Sequence, residues 1–115
     1  MRMDRPWDFG ESVTFTQRRL IVAKFTTRVE LHDATDDDYT ELHSAMESEG
    51  FSRLIADSKG IVYHLPWAEY NFEGNKSCNE ILACAKRAAK TTGCEFEILV
   101  TESAGRTWYN LLPVR

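Results

Sequence analysis

From Val22 the chain alternates: Phe25, Thr27, Val29 and Leu31 fall on one side, with Lys24, Thr26, Arg28, Glu30 and His32 on the other. A two-residue period predicts a strand with one buried and one wet face. The period then lengthens. Tyr39, Leu42, Ala45 and Met46 recur at helical spacing behind Thr35, a good N-cap, and Gly50 supplies a stop. FSRLIADSKG predicts a second strand near residues 51 to 56, closed by the turn residues Asp57, Ser58 and Gly60. IVYHLP extends a hairpin until Pro66 interrupts its ladder. WAEYNFEG, with Ala68, Tyr70 and Phe72 opposite Glu69, Asn71 and Glu73, predicts the third strand. Ser77 and Glu80 form a capping box for a second helix, whose stripe of Ile81, Leu82, Ala85, Ala88 and Ala89 runs to Gly93. Small residues there let the helix lie close to a sheet. CEFEILVT turns Phe96, Ile98 and Val100 inward as the fourth strand, and TWYNLLPV is apolar enough to pack.

The order βαββαβ predicts an α+β domain: a four-stranded antiparallel sheet with both helices on one face. The other face is open and carries Lys24, Thr26, Arg28, Glu30 and His32, then Glu69, Asn71 and Glu73, then Glu95, Glu97, Leu99 and Thr101. It is too polar for an RNP-type stacking platform, and no RNP1 pattern occurs, since Tyr70 and Phe72 share phase with the core. Residues 1 to 20 lack a clean period and read as a loosely attached extension to a domain spanning 21 to 115. The fresh start at Val22 also raises the expectation that translation begins near here. Without an apolar run the opening is no secretory signal, and no segment suits a bilayer, so a cytoplasmic protein with no membrane partner is expected.

Charge sharpens this picture. The net charge is −4 across 115 residues, yet residues 29 to 50 hold eight acids and no Lys or Arg, which leaves the remainder positive. A strongly basic duplex-coating protein is excluded and no DNA partner is expected. Any nucleic acid that binds should avoid the acidic helix and approach through Arg28, Arg53, Lys86, Arg87, Lys90 and Arg106. Cys78, Cys84 and Cys94 form no CxxC pair, which fits reduced, small core residues rather than a disulfide framework or zinc site.

The stretch VELHDATDDDYTELH gathers two histidines and four aspartates. Asp36, Asp37 and Asp38 are explained by the positive end of the helix dipole. An EF-hand is excluded, because Asp38 stands at the required glycine and Ser44 at the twelfth-position glutamate. His32 and Asp33 at the strand's end remain unexplained by local structure.

In GFSRLIADSKGIVYHLP, and most specifically FSRLIADSKGI directly after the first helix, the sequence resembles the GhoS-type endoribonuclease antitoxin family over about residues 24 to 112. The resemblance implies a ferredoxin-like fold similar to the CRISPR-associated second protein. It also implies a small antitoxin that cuts the messenger RNA of a membrane-active toxin. The chain departs from the family pattern in its extension and in a longer, tryptophan-bearing link before the third strand, and no proven catalytic set maps onto it.

RNA cleavage without metal requires a base for the 2′-hydroxyl proton, an acid for the leaving oxygen and a cation facing the phosphate. Arg28, His32, Asp33 and Arg53 suit those tasks, with Lys24, Asp57, His64 and Arg106 as RNA-binding candidates. The competing reading is structural: Asp33 caps a turn, His64 is a solvated loop residue, and the arginines pair with Glu30 or Glu69. His43, on the acidic helix, is a worse candidate. No cofactor is required, although Asp33 carboxylates from two subunits of a homodimer could hold Mg²⁺. Ser103, Gly105 and Arg106 suggest an anion-cradling loop, but a turn explains them better. The alternative function is a non-catalytic adaptor that binds a protein through the acidic helix and the apolar tail.

Overall fold

The structure, a computed structural model, describes residues 22–115; the expected 1–20 extension therefore lies outside the described residues. Seven elements follow one another: β1 (Ala23–Leu31), α1 (Asp36–Ser48), β2 (Leu54–Ala56), β3 (Val62–His64), β4 (Glu69–Gly74), α2 (Cys78–Lys90) and β5 (Phe96–Glu102). The class is α+β with antiparallel pairing throughout. β1 lies at the centre of a three-stranded sheet, ordered β4-β1-β5. Its inward residues Phe25, Val29 and Leu31 meet Leu42 and Met46 of α1 and Ile81, Ala85 and Ala89 of α2 in one core. Both helices therefore cover the same sheet face. Tyr70 and Phe72 join that core from β4, as their phase predicted.

Both helix starts follow the sequence. Thr35 and Asp38 complete a reciprocal capping box, as do Ser77 and Glu80, which satisfies amides that a helix leaves unpaired. Gly50 takes φ +100° immediately after α1, and a Cβ there would meet Phe72 Cε2 at 3.1 Å. Conformation and space both call for glycine at this stop.

The expected four-stranded sheet is not what forms. Residues 51 to 56 touch β4 through a single bridge, Ser52 to Asn71, and then leave it to pair with β3 in a separate two-stranded hairpin. Two sets of contacts accompany this departure. The Ser52 hydroxyl accepts the Leu54 amide at 3.0 Å, turning the backbone away. The Arg53 guanidinium then donates to carbonyls in and after the loop that leads into β4: Pro66 O at 2.8 Å, Leu65 O at 3.3 Å and Glu69 O.

The open sheet face is also less open than its sequence suggested. After β5, residues 103 to 114 form a strap across it. The Ser103 amide donates to Lys24 O at 2.8 Å, and Arg106 Nη1 reaches Asn71 Oδ1 at 2.8 Å and Thr26 Oγ1 at 3.2 Å on the outer face. Asn71 is buried beneath it. Residues 112 to 114 then extend the hairpin, with the His64 amide donating to Leu112 O and the Val114 amide to Val62 O, each at 2.9 Å.

Candidate functional site

Strand alternation projects Arg28, Glu30 and His32 from one side of β1, away from the helices. Arg28 is central: Nη1 donates to Glu69 Oε2 at 3.1 Å, Nη2 bonds Glu30 Oε2, and its side chain remains 49% exposed. Glu30 and Glu97 are direct cross-strand partners. Such like charges repel, and both Arg28 beside Glu30 and His32, whose Nε2 is 3.5 Å from Glu97 Oε1, relieve this. The result is a solvated row of alternating charges holding a cation, an imidazole and three carboxylates. Those groups can bind a phosphate, move a proton and orient the group that moves it.

Asp33 follows immediately at the end of β1 with φ +52°, a left-handed conformation that Asp tolerates better than most residues. Its carboxylate is exposed. No cluster of three or more His, Cys, Asp or Glu that could hold a metal occurs among the described residues. Asp33 would thus offer Mg²⁺ one carboxylate from this chain.

Arg53, the fourth catalytic candidate, sits elsewhere. Its donors are committed to the Pro66, Leu65 and Glu69 carbonyls, and its guanidinium lies 5.4 Å from the centre of the Tyr70 ring on the helix side. Burial lowers its pKa against the opposing pull of Tyr70, Glu47 and Glu69. Arg28 and Arg53 meet only through Glu69, whose carboxylate holds one and whose carbonyl holds the other.

Three of the four RNA-binding candidates line one cleft of about 830 Å³: Lys24, Asp57 and Arg106. Asp57 shapes its rim. Its Oδ1 accepts the Lys59 and Ile61 amides at 2.9 Å, and Oδ2 accepts the Tyr63 hydroxyl at 3.3 Å. Burial pushes the Arg106 pKa down, with Glu73 acting in the opposite direction. His64 is exposed on β3 and does not line the cleft. The single basic approach expected from sequence is dispersed: Arg28 and Arg106 lie on the outer sheet face, whereas Lys86, Arg87 and Lys90 ride on α2 over the opposite face. Arg87 is paired with Glu49 at 2.9 Å.

His43, set aside as a catalytic candidate, is built into the packing between α1 and β4. Its Nδ1 is 2.6 Å from the Tyr70 hydroxyl, and its ring meets Trp67 edge to face with centroids 4.8 Å apart. Burial, and then the nearby Arg53 charge, push its pKa down to about 4. Burial also holds the Tyr70 phenol above its ordinary pKa, so that hydroxyl stays protonated in its hydrogen bond with Nδ1. Nε2 is buried without a hydrogen-bond partner among the described residues, and the ring packs against Trp67. The available signal was spacing: Tyr39 and His43 stand one helical turn apart, on a face that Trp67 covers.

The chain belongs to the endoribonuclease GhoS family, whose sequence model matches residues 21–108. The match runs from the start of β1 through β5 and into the strap, and it bears out the resemblance carried by FSRLIADSKGI. No curated protein matches the chain.

Proposed function

We propose that this member of the family is an endoribonuclease that cuts messenger RNA on the exposed, polar face of its sheet. In this reading it is an antitoxin, and the transcript it destroys encodes a small membrane toxin. Membership of an endoribonuclease family carries the proposal, and the exposed Arg28–His32 row supports its placement. Arg28 binds the scissile phosphate in exchange for one of its two carboxylates. His32, oriented by Glu97, removes the 2′-hydroxyl proton; the 2′-oxygen bonds to phosphorus, and the bond to the 5′-oxygen breaks as that oxygen is protonated. The products are a 2′,3′-cyclic phosphate and a 5′-hydroxyl. Asp33 flanks this row, either as an acid–base partner or, in a homodimer, as half of a Mg²⁺ site. Lys24, Asp57, His64 and Arg106 would contact the RNA strand beyond the cut. Among the described residues no helix is long and apolar enough to cross a membrane.

The test is incubation of the full chain with a toxin transcript, with and without EDTA. Discrete fragments with cyclic phosphate ends are expected in both cases where Asp33 is an acid–base partner, and only without EDTA where it holds Mg²⁺. Intact RNA in the presence of folded protein overturns the reading. Exposed Asp36 and Asp37 on α1 and Leu112 in the strap favour the second reading, a non-catalytic adaptor that binds a protein. Reversing the charges of Asp36, Asp37 and Asp38 would abolish partner capture in that case and leave cleavage unchanged in the first.

A further inference from the structure

The cleft between the hairpin, the start of β1 and the strap is not used by the cleavage chemistry above. Its volume of about 830 Å³ lies within the range of small-ligand sites and far exceeds what a lone phosphate fills. One wall is aromatic: Trp108 and Tyr63 meet edge to face with centroids 5.4 Å apart, an arrangement that fixes both rings. Another wall carries Lys24, which is exposed and makes no ion pair among the described residues. Arg106 forms the back, with Nη1 spent on Asn71 and Thr26.

The charges are balanced. Asp57 and Glu102 line the same cleft as Lys24 and Arg106, so a bare anion gains little there. A ligand with a flat π-face, one phosphate, and its own donors for nearby carboxylate and hydroxyl oxygens satisfies all the walls at once. A ribonucleotide has that combination. Resting on the endoribonuclease reading, we propose that this cleft is a nucleotide-specificity pocket, in which one base of the RNA substrate stacks on Trp108 while Lys24 holds its phosphate. The strand would run from the pocket over Arg106, which covers Thr26, to Arg28, since Lys24 and Arg28 project from the same side of β1. The pocket therefore selects which nucleotide lies a few positions from the cut.

The experiment follows amide and indole resonances of the full-length protein during titration with each of the four ribonucleoside 5′-monophosphates and with ribose 5-phosphate. At least one nucleotide should shift the Trp108 indole and the Lys24 amide, and ribose 5-phosphate should bind about tenfold more weakly, as loss of one stacked base implies. Lys24→Gln, a change at an exposed position, and Trp108→Leu should each weaken that binding by a similar factor. The binding nucleotide should raise KM for transcript cleavage and leave kcat unchanged. Equal binding of ribose 5-phosphate, shifts confined to the Arg28 surface, or no shift at all overturns the pocket even if RNA is cut. A bound nucleotide that does not compete overturns its link to substrate. Nucleotide binding by a protein that leaves RNA intact overturns the nuclease reading instead, and keeps a nucleotide site.

Discussion

Acidification should destabilise this fold through His43 before it does so through the carboxylates. The imidazole's pKa lies near 4 in the folded chain against 6.5 in the unfolded one. The unfolded state therefore binds the proton more tightly. Stability is complete above about pH 6.5 and drains away as pH falls from there toward 4. A shift of that size corresponds to a ceiling of roughly 3 kcal/mol at about 1.4 kcal/mol per pKa unit. The ring is only partly enclosed, so solvent screening reduces the expected loss to about 1.5 kcal/mol. Asp38, held down chiefly by the Thr35 amide, and Glu49, held down chiefly by the Arg87 guanidinium, also lose stability in acid. Their losses begin below their ordinary values of 3.8 and 4.5, which leaves the window from about pH 6.5 to 4.5 to His43. Urea unfolding of the wild type across that window should show a falling midpoint at constant slope. His43→Phe keeps a ring beneath Trp67 but cannot titrate; it should start about 1 kcal/mol less stable, because the Tyr70 hydroxyl loses its hydrogen-bond partner, and then stay flat. Parallel curves for the two proteins would refute the assignment of this pH dependence to His43.

Arg28→Ala should abolish most RNA cleavage while costing less than about 1 kcal/mol of stability, read as fragment yield beside thermal melting. Asp33→Asn keeps a residue that tolerates the left-handed backbone; loss of cleavage with an unchanged melt would mark its carboxylate as functional, and full activity would mark it as a turn residue. Arg53→Met should destabilise by roughly 2 kcal/mol in urea unfolding, because three carbonyls lose their donor. Gly50→Ala should cost more than about 1 kcal/mol on the same assay, since it adds strain at φ +100° to a tight contact with Phe72.

Much of the fold was legible because it is locally encoded. The phase of Phe25, Val29 and Leu31, both capping boxes and the glycine stop at Gly50 each follow from a few adjacent residues. The departure of the predicted second strand from the sheet was not legible: FSRLIADSKG reads as a strand closed by a turn, and the Arg53 contacts beside it run to carbonyls more than ten residues away. The strap was hidden for the same reason, since the Arg106–Asn71 contact spans 35 positions and leaves no periodicity in the sequence. At the candidate site, alternation alone placed Arg28 and His32 on one face, but it could not distinguish an exposed arginine from one enclosed by carbonyls. The surroundings of His43 were not legible, because the charges flanking it in sequence are acidic, whereas the groups around it in space are Tyr70, Trp67 and Arg53.

The strap also sets an order of assembly. β1 is synthesised early, yet both of its sheet partners come later in the chain, and the outer edge of β3 waits for residues 112 to 114, about fifty positions downstream. Closing such distant pairings makes them late events in folding. The hairpin has only three residues in each strand and meets β4 through a single bridge, so it should be the first region to open in the native state, with its amides exchanging with solvent sooner than those of β1. Removal of Leu112–Val114 would release this edge while leaving the packed helices and central strand in place, and would expose unpaired strand backbone where another chain could add itself.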